Sequence, residues 1–171
     1  MKASANNRPQ KLRRSSSGFT LIELMVTIAV LAIIIGIAAP SISTQLANQR
    51  IKSTVSTIES ALKEAKAESI IRRQNIAVIY NSASNPKTII LQNGDDTLST
   101  YNINDQNTVT VTTINTPPIV ITTVTFQPNK VIAGDDEILY SICESGSTNE
   151  TPKQIRLNKI TNINTTNTGS C

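Results

Sequence analysis

Histidine and tryptophan are absent from this sequence, aromatic residues make up 3% of it, and it holds only two cysteines. Without histidine the chain lacks the commonest general base near neutral pH and the commonest metal ligand. Two cysteines do not by themselves complete a four-ligand zinc site. There is no nucleophile elbow and no phosphate-cradling glycine loop, and no pairing of acids that would support acid–base chemistry can be argued from their spacing. The expectation is therefore a non-enzyme without cofactor or metal. Charge is also sparse, at 16% of residues, and unevenly placed.

The net charge of +4 and the pI near 9.2 come from the first 18 residues. These hold Lys2, Arg8, Lys11, Arg13 and Arg14 and no acid. The other 11 basic residues face all 12 acids, so a chain without this leader sits near −1. Overall basicity then argues for nucleic-acid binding only if the leader stays on.

From Phe19 to Ala39 run 21 residues in which Glu23 is the only charge. As a helix this stretch covers roughly 31 Å, the thickness of a bilayer's hydrocarbon core. Five Lys/Arg before it hold that end in the cytoplasm and deliver the remainder outside. Gly36-Ile37-Ala38-Ala39-Pro40 comes near the small-residue pattern of a secretory cleavage site, but a plain signal peptide has no use for Glu23. A carboxylate among lipid tails costs about 2.5–3.5 kcal/mol on insertion scales and calls for a partner. Cleavage after Gly18 would place a new amino terminus at Phe19, four residues from Glu23. That ammonium could neutralise Glu23 of its own chain or of a neighbour. The alternative is an acid near the interface that snorkels or is protonated.

Gly18-Phe19-Thr20-Leu21-Ile22-Glu23-Leu24-Met25 resembles the class III signal of type IV pilins and type II secretion pseudopilins. The resemblance implies cutting between Gly18 and Phe19 by a prepilin peptidase and N-methylation of Phe19. It implies an assembly role for Glu23 and places Pro40 where such subunits carry a helix-disturbing proline. The 18-residue leader is longer than is usual for members that start with Phe. The domains expected are a cleaved basic leader over 1–18, a transmembrane and assembly helix over 19–40, and an extracytoplasmic globular domain over 41–171. The implied location is a single pass of the inner membrane with a periplasmic domain, then the pilus or pseudopilus.

Pro40 lacks an N–H and crowds the carbonyl of Gly36, which predicts a kink or locally loosened helix rather than a helix end. Beyond it, Ile51, Val55, Ile58, Leu62 and Ala65 recur at helical spacing, with Arg50, Lys52, Glu59, Lys63, Glu64 and Lys66 on the other face. Arg72 and Arg73 suit the last turn. The helix expected over Phe19–Arg73 would be about 80 Å long. Strands are expected at 76–80, 88–91, 97–103, 108–114, 119–126, 137–143 and 153–158, with Asn93-Gly94 as a hairpin signal. The fold class is α+β: a long N-terminal helix packed on a C-terminal antiparallel sheet. Cys143 and Cys171 lie on the outer side of the membrane, where disulfides persist, and read as a pair rather than two free thiols. The Asn/Thr-rich tail 161–170 would fray without that tether.

Val124-Thr125-Phe126-Gln127-Pro128-Asn129, a strand ending in cysteine and the Ile155/Leu157 strand are similar to minor pilins and pseudopilins of the GspH/FimT type. The resemblance implies a structural minor pilin that helps initiate or cap a type IV pilus, with other major and minor pilins as partners. The alternatives are a type II secretion pseudopilin, or a tip subunit binding DNA or a surface. Some relatives carry a basic Gly-Arg-x-Arg tail, whereas this chain has no arginine after Arg156. Nucleic acid is therefore possible but not favoured: residues 127–171 hold Lys130, Lys153, Arg156 and Lys159 against five acids, and Lys153, Arg156 and Lys159 are the positions whose neutralisation would test it. Replacing Gly18 by Leu should block cleavage, so that the protein recovered from membranes keeps the mass of its leader. A mature mass in that variant would refute cleavage at this bond.

Overall fold

The structure is a computed structural model describing residues 18–171 except 116, 135, 147–149 and 170, with the side chains of 38–41 also outside the description. The leader expected over 1–18 thus lies outside the described residues up to 17. The chain divides into two units at Ala39 and Pro40.

Helix α1, Leu21–Arg72, has 52 residues and includes Pro40, whose backbone is helical. In the second unit its inward stripe is Ala47, Ile51, Val55, Ile58, Ala61, Leu62 and Ala65, all buried. These recur every three or four residues, so a helix brings them to one face. The helix stops at Arg72. Arg73 takes a left-handed conformation, φ 53°, and Gln74 N–H reaches Ser69 O at 3.3 Å. This is a Schellman-type close, which returns an orphan carbonyl to a donor. Arg73 therefore stands just past the helix rather than in its last turn.

Eight strands follow: β1 (Ile76–Asn81), β2 (Thr88–Asn93), β3 (Asp96–Asn102), β4 (Asn107–Thr113), β5 (Thr123–Phe126), β6 (Ile138–Glu144), β7 (Lys153–Leu157) and β8 (Ile163–Asn167). They form two antiparallel sheets, ordered β3-β2-β1-β5 and β4-β6-β7-β8. Strict alternation sets the buried faces: Ile76, Val78 and Tyr80 in β1, Val109 and Val111 in β4, Ile138, Tyr140 and Ile142 in β6. With the helical stripe, Phe126, Ile155 and Leu157 they make one hydrophobic core. The β2–β3 hairpin turns at Gly94-Asp95, where Gly94 has φ 60°.

One expected strand is corrected and one unforeseen strand appears. The strand expected over 119–126 shrinks to Thr123–Phe126. Residues 119–121 lie instead beside β4, with Thr113 N–H on Ile119 O and Ile121 N–H on Val111 O, both 2.9 Å. The chain changes sheets here, after the stiff Pro117-Pro118 pair. The tail over 161–170, where no strand is expected from the sequence, contains β8, which pairs along β7 from Ile163 to Asn167. Its β-branched threonines suit an edge strand even though they are polar.

A polar chain crosses the core beside β6. Thr54 Oγ1 donates to Asn107 Oδ1 at 2.8 Å, and Asn107 Nδ2 donates to Glu144 Oε2 at 2.8 Å. Arg50 Nη1 meets Glu144 Oε1 at 2.7 Å. The Glu144 side chain is 3% exposed. A carboxylate so buried is tolerable only with such donors.

Next to it Cys143 joins Cys171, with Cα atoms 6.0 Å apart across a sequence separation of 28. Closing a loop of that length lowers the entropy of the unfolded chain, worth roughly 3–4 kcal/mol in the loop-closure model. The double variant Cys143→Ser/Cys171→Ser should lose about that much stability in urea unfolding. Hydrogen exchange should register the loss of protection first in β8. Unchanged β8 protection would mean that the strand stands without its tether.

Candidate assembly site

Gly18, Phe19 and Thr20 precede the helix, and Phe19 is 80% exposed. The helix begins at Leu21, two residues later than expected, because Thr20 caps it. Thr20 Oγ1 accepts the Glu23 N–H at 3.2 Å, and Thr20 O accepts the Leu24 N–H at 3.2 Å. Thr20-x-x-Glu23 has the spacing of a capping box, a signal that the sequence carries but that apolar periodicity alone does not reveal. Glu23 occupies the first turn, where the positive end of the helix dipole favours an acid. Its position thus has a local rationale within its own helix as well as the one argued from charge neutralisation.

From Leu21 to Ile37 every residue is exposed, including Leu24, Met25, Val26, Ile28, Leu31, Ile33 and Ile34. A helix that is apolar all round belongs among lipid or other helices. No single described helix is long and apolar enough to cross a membrane, whereas Leu21–Ile37 taken with Ile42–Arg72 is so by length and composition. Pro40 lies within α1, with its side chain outside the description.

Lys153 and Arg156 line separate hollows. Lys153 lies in a hollow with Asn48, Lys52, Thr151 and Asn167, and donates to Asn167 Oδ1 at 2.7 Å. Arg156 lines a separate hollow with Leu139 and Gln154, and pairs with Glu137 at 2.8 Å. Phosphate binding needs clustered, available cations. Among the described residues no group of three His, Cys, Asp or Glu could hold a metal.

Polar links fasten both flanks of α1 to the sheets. Glu64 accepts hydrogen bonds from Ser99 Oγ and Tyr101 Oη on β3. Glu59 accepts from Thr165 Oγ1 on β8 at 2.5 Å and pairs with Lys63 at 2.9 Å. The Thr165 hydroxyl, then Lys63, hold the Glu59 carboxyl below its ordinary value. Bonding to the Glu64 carboxylate, with some burial, pushes the Tyr101 phenol up to about 12. Burial alone raises Tyr140 and is the main cause that raises Tyr80.

With this geometry in view, residues 13–39 match the prokaryotic N-terminal methylation motif. The described fold is similar to that of the type IV minor pilin FimU of Pseudomonas aeruginosa in two crystal forms. In one the TM-score is 0.56 at 15% identity, over 70% of this chain and 98% of FimU. In the other it is 0.52 at 16% identity, over 77% and 97%. No curated protein matches the sequence. The chain therefore combines a prokaryotic N-terminal methylation motif with a fold similar to that of FimU, a long helix followed by antiparallel sheet.

Tyr101 yields a pH test. Its raised pKa means that folding favours the protonated phenol. That contribution is complete below pH 10 and is lost as pH rises toward about 12. In ultraviolet titration of the folded protein, the tyrosine step should lie above pH 10. Glu64→Gln removes the negative charge and should return one of the three tyrosines toward 10. An unshifted curve in that variant would show that Glu64 does not set the phenol's pKa.

Proposed function

We propose that this chain is a minor subunit of a type IV pilus that takes part in initiating or capping filament assembly. The observation that carries the reading is the exposed apolar helix Leu21–Ile37 with an acid in its first turn, directly after Gly18-Phe19. The methylation motif over 13–39 and the minor pilin fold support it.

In this reading a prepilin peptidase cuts between Gly18 and Phe19 and methylates Phe19. Residues 1–18 are the cleaved leader, 19–40 span the inner membrane, and 41–171 form the periplasmic domain. Other pilins are its partners. A charge in lipid costs several kcal/mol, so a subunit with Glu23 unpaired is held back from close packing until a terminal ammonium neutralises it. Pro40 serves by leaving the Gly36 carbonyl without its helical donor, which lets the helix adjust where it leaves the membrane.

Glu23→Val should leave membrane insertion intact, because it only makes the span more apolar. It should reduce incorporation into sheared pili to background, measured by immunoblot against the membrane pool. Normal co-purification of that variant with pili would end the pairing reading.

A further inference from the structure

The two sheets have four edges, and two of them are closed from within. Beside β4, residues 119–121 take up the outward peptide groups of Val111 and Thr113. Beside β5, Ala133 N–H donates to Thr125 O at 2.8 Å and Gln127 N–H to Val131 O at 2.9 Å. Among the described residues, the edges of β8 and β3 have no such cover.

The register says which peptide groups face out. Thr168 N–H binds Pro152 O, and Asn158 N–H binds Asn162 O, so the even-numbered residues of β8 bond to β7. Ile163, Thr165 and Asn167 then turn their peptide groups outward. Past β8 the chain returns to Cys143 on β6, away from that edge. On β3, Ile103 N–H binds Lys87 O, which leaves Thr100 and Asn102 facing out. Edge strands are normally blunted by charge, proline or bulges. β8 has none of these within Ile163–Asn167, and the β3 irregularity lies at its other end, opposite Leu91 and Gln92.

The two edges differ in charge. Beside β8 lie Lys66, which donates to Thr161 O at 3.2 Å, Lys63 with its partner Glu59, and Lys52 and Lys153 near Asn167. Beside β3 lie Asp95, Asp96 and Glu64, with Glu68 paired to Arg72 and Lys87 at the far end. Like edges would set lysines against lysines or acids against acids, whereas unlike edges complement each other.

We propose that β8 of one copy pairs in parallel with β3 of a second copy. The direction follows from the side chains. Thr165 points to α1 through Glu59, and the outward-bonding residue of β8 is therefore a helix-side residue. On β3 the helix-side residues Ser99 and Tyr101 bond inward to β2, so the outward-bonding Thr100 and Asn102 point away from α1. In a parallel pair each outward group bonds to residues whose side chains lie on the opposite face. Parallel pairing thus keeps both α1 helices on one face of the joint sheet, with Thr165 seated between Thr100 and Asn102. It also brings Asp95 and Asp96 of the second copy to the Thr161 end of β8, where Lys66 lies. The contact is heterologous, so each pair leaves one β3 and one β8 edge for further copies. It rests on the pilin reading only for where it operates.

The test uses full-length chains, since the native cysteines are already bonded to each other. Asn164→Cys and Thr100→Cys are placed in copies with different tags, co-expressed and oxidised, with retention of the Cys143–Cys171 bond as the folding control. The mixed dimer should exceed either self-dimer. Asp95→Lys/Asp96→Lys in the Thr100→Cys copy should lower its yield about tenfold, and Lys66→Glu in the other copy should restore it. Self-dimers at equal yield, or a mixed yield indifferent to charge reversal, would overturn the pairing. Neither readout needs a filament, so failure here is separate from failure of Glu23→Val to block incorporation.

Discussion

An apolar helix that stays exposed among the described residues is the constraint on which the rest depends. From Leu21 to Ile37 each residue is exposed, and no folded domain of this size could leave so much hydrocarbon in water. Lipid or sister helices must supply the missing contacts. Glu23 in the first turn makes this demand selective. Its charge is comfortable at the positive end of a helix dipole but costly in a purely apolar medium without a partner. In the proposed reading the same stretch anchors the chain and leaves one polar requirement for a neighbour to meet.

In the second unit α1 changes from an apolar rod into an amphipathic spine. Its stripe from Ile51 to Ala65 supplies one wall of the core. Its flanks supply polar ties: Arg50 and Thr54 to the Asn107–Glu144 pair, Glu59 to Thr165, and Glu64 to Ser99 and Tyr101. Hydrophobic burial carries most of the stability but has little directional content. Hydrogen bonds of this kind decide where each strand lies against the helix, because a buried polar group left without its partner is penalised. The disulfide beside Glu144 acts on the unfolded chain and holds the last strand close to its docking place.

The same ties leave the two sheets unevenly finished. β4 and β5 are closed by short segments of their own loops, while β3 and β8 are fixed to α1 by side chains and, among the described residues, have no backbone partner on their outer edges. A fold built in this way has its open hydrogen-bonding capacity at two places with different charge.

How far the chain could be read without coordinates depended on the range of the interactions involved. The apolar run, its lone acid, the stripe over 51–65 and most strands were legible, because 3.6-residue and two-residue periodicities are local consequences of burial. The Thr20–Glu23 cap was equally local and was overlooked. The division into two sheets, the transfer of residues 119–121 to β4 and the existence of β8 were not legible. Each depends on a partner strand distant in the sequence, and polar Thr/Asn segments carry no hydrophobic pattern to name that partner. By itself the sequence determined which residues must leave water and where the N-terminal methylation motif stands. Only the tertiary structure decided which polar strands found edges, since backbone hydrogen bonds select geometry and not residue type.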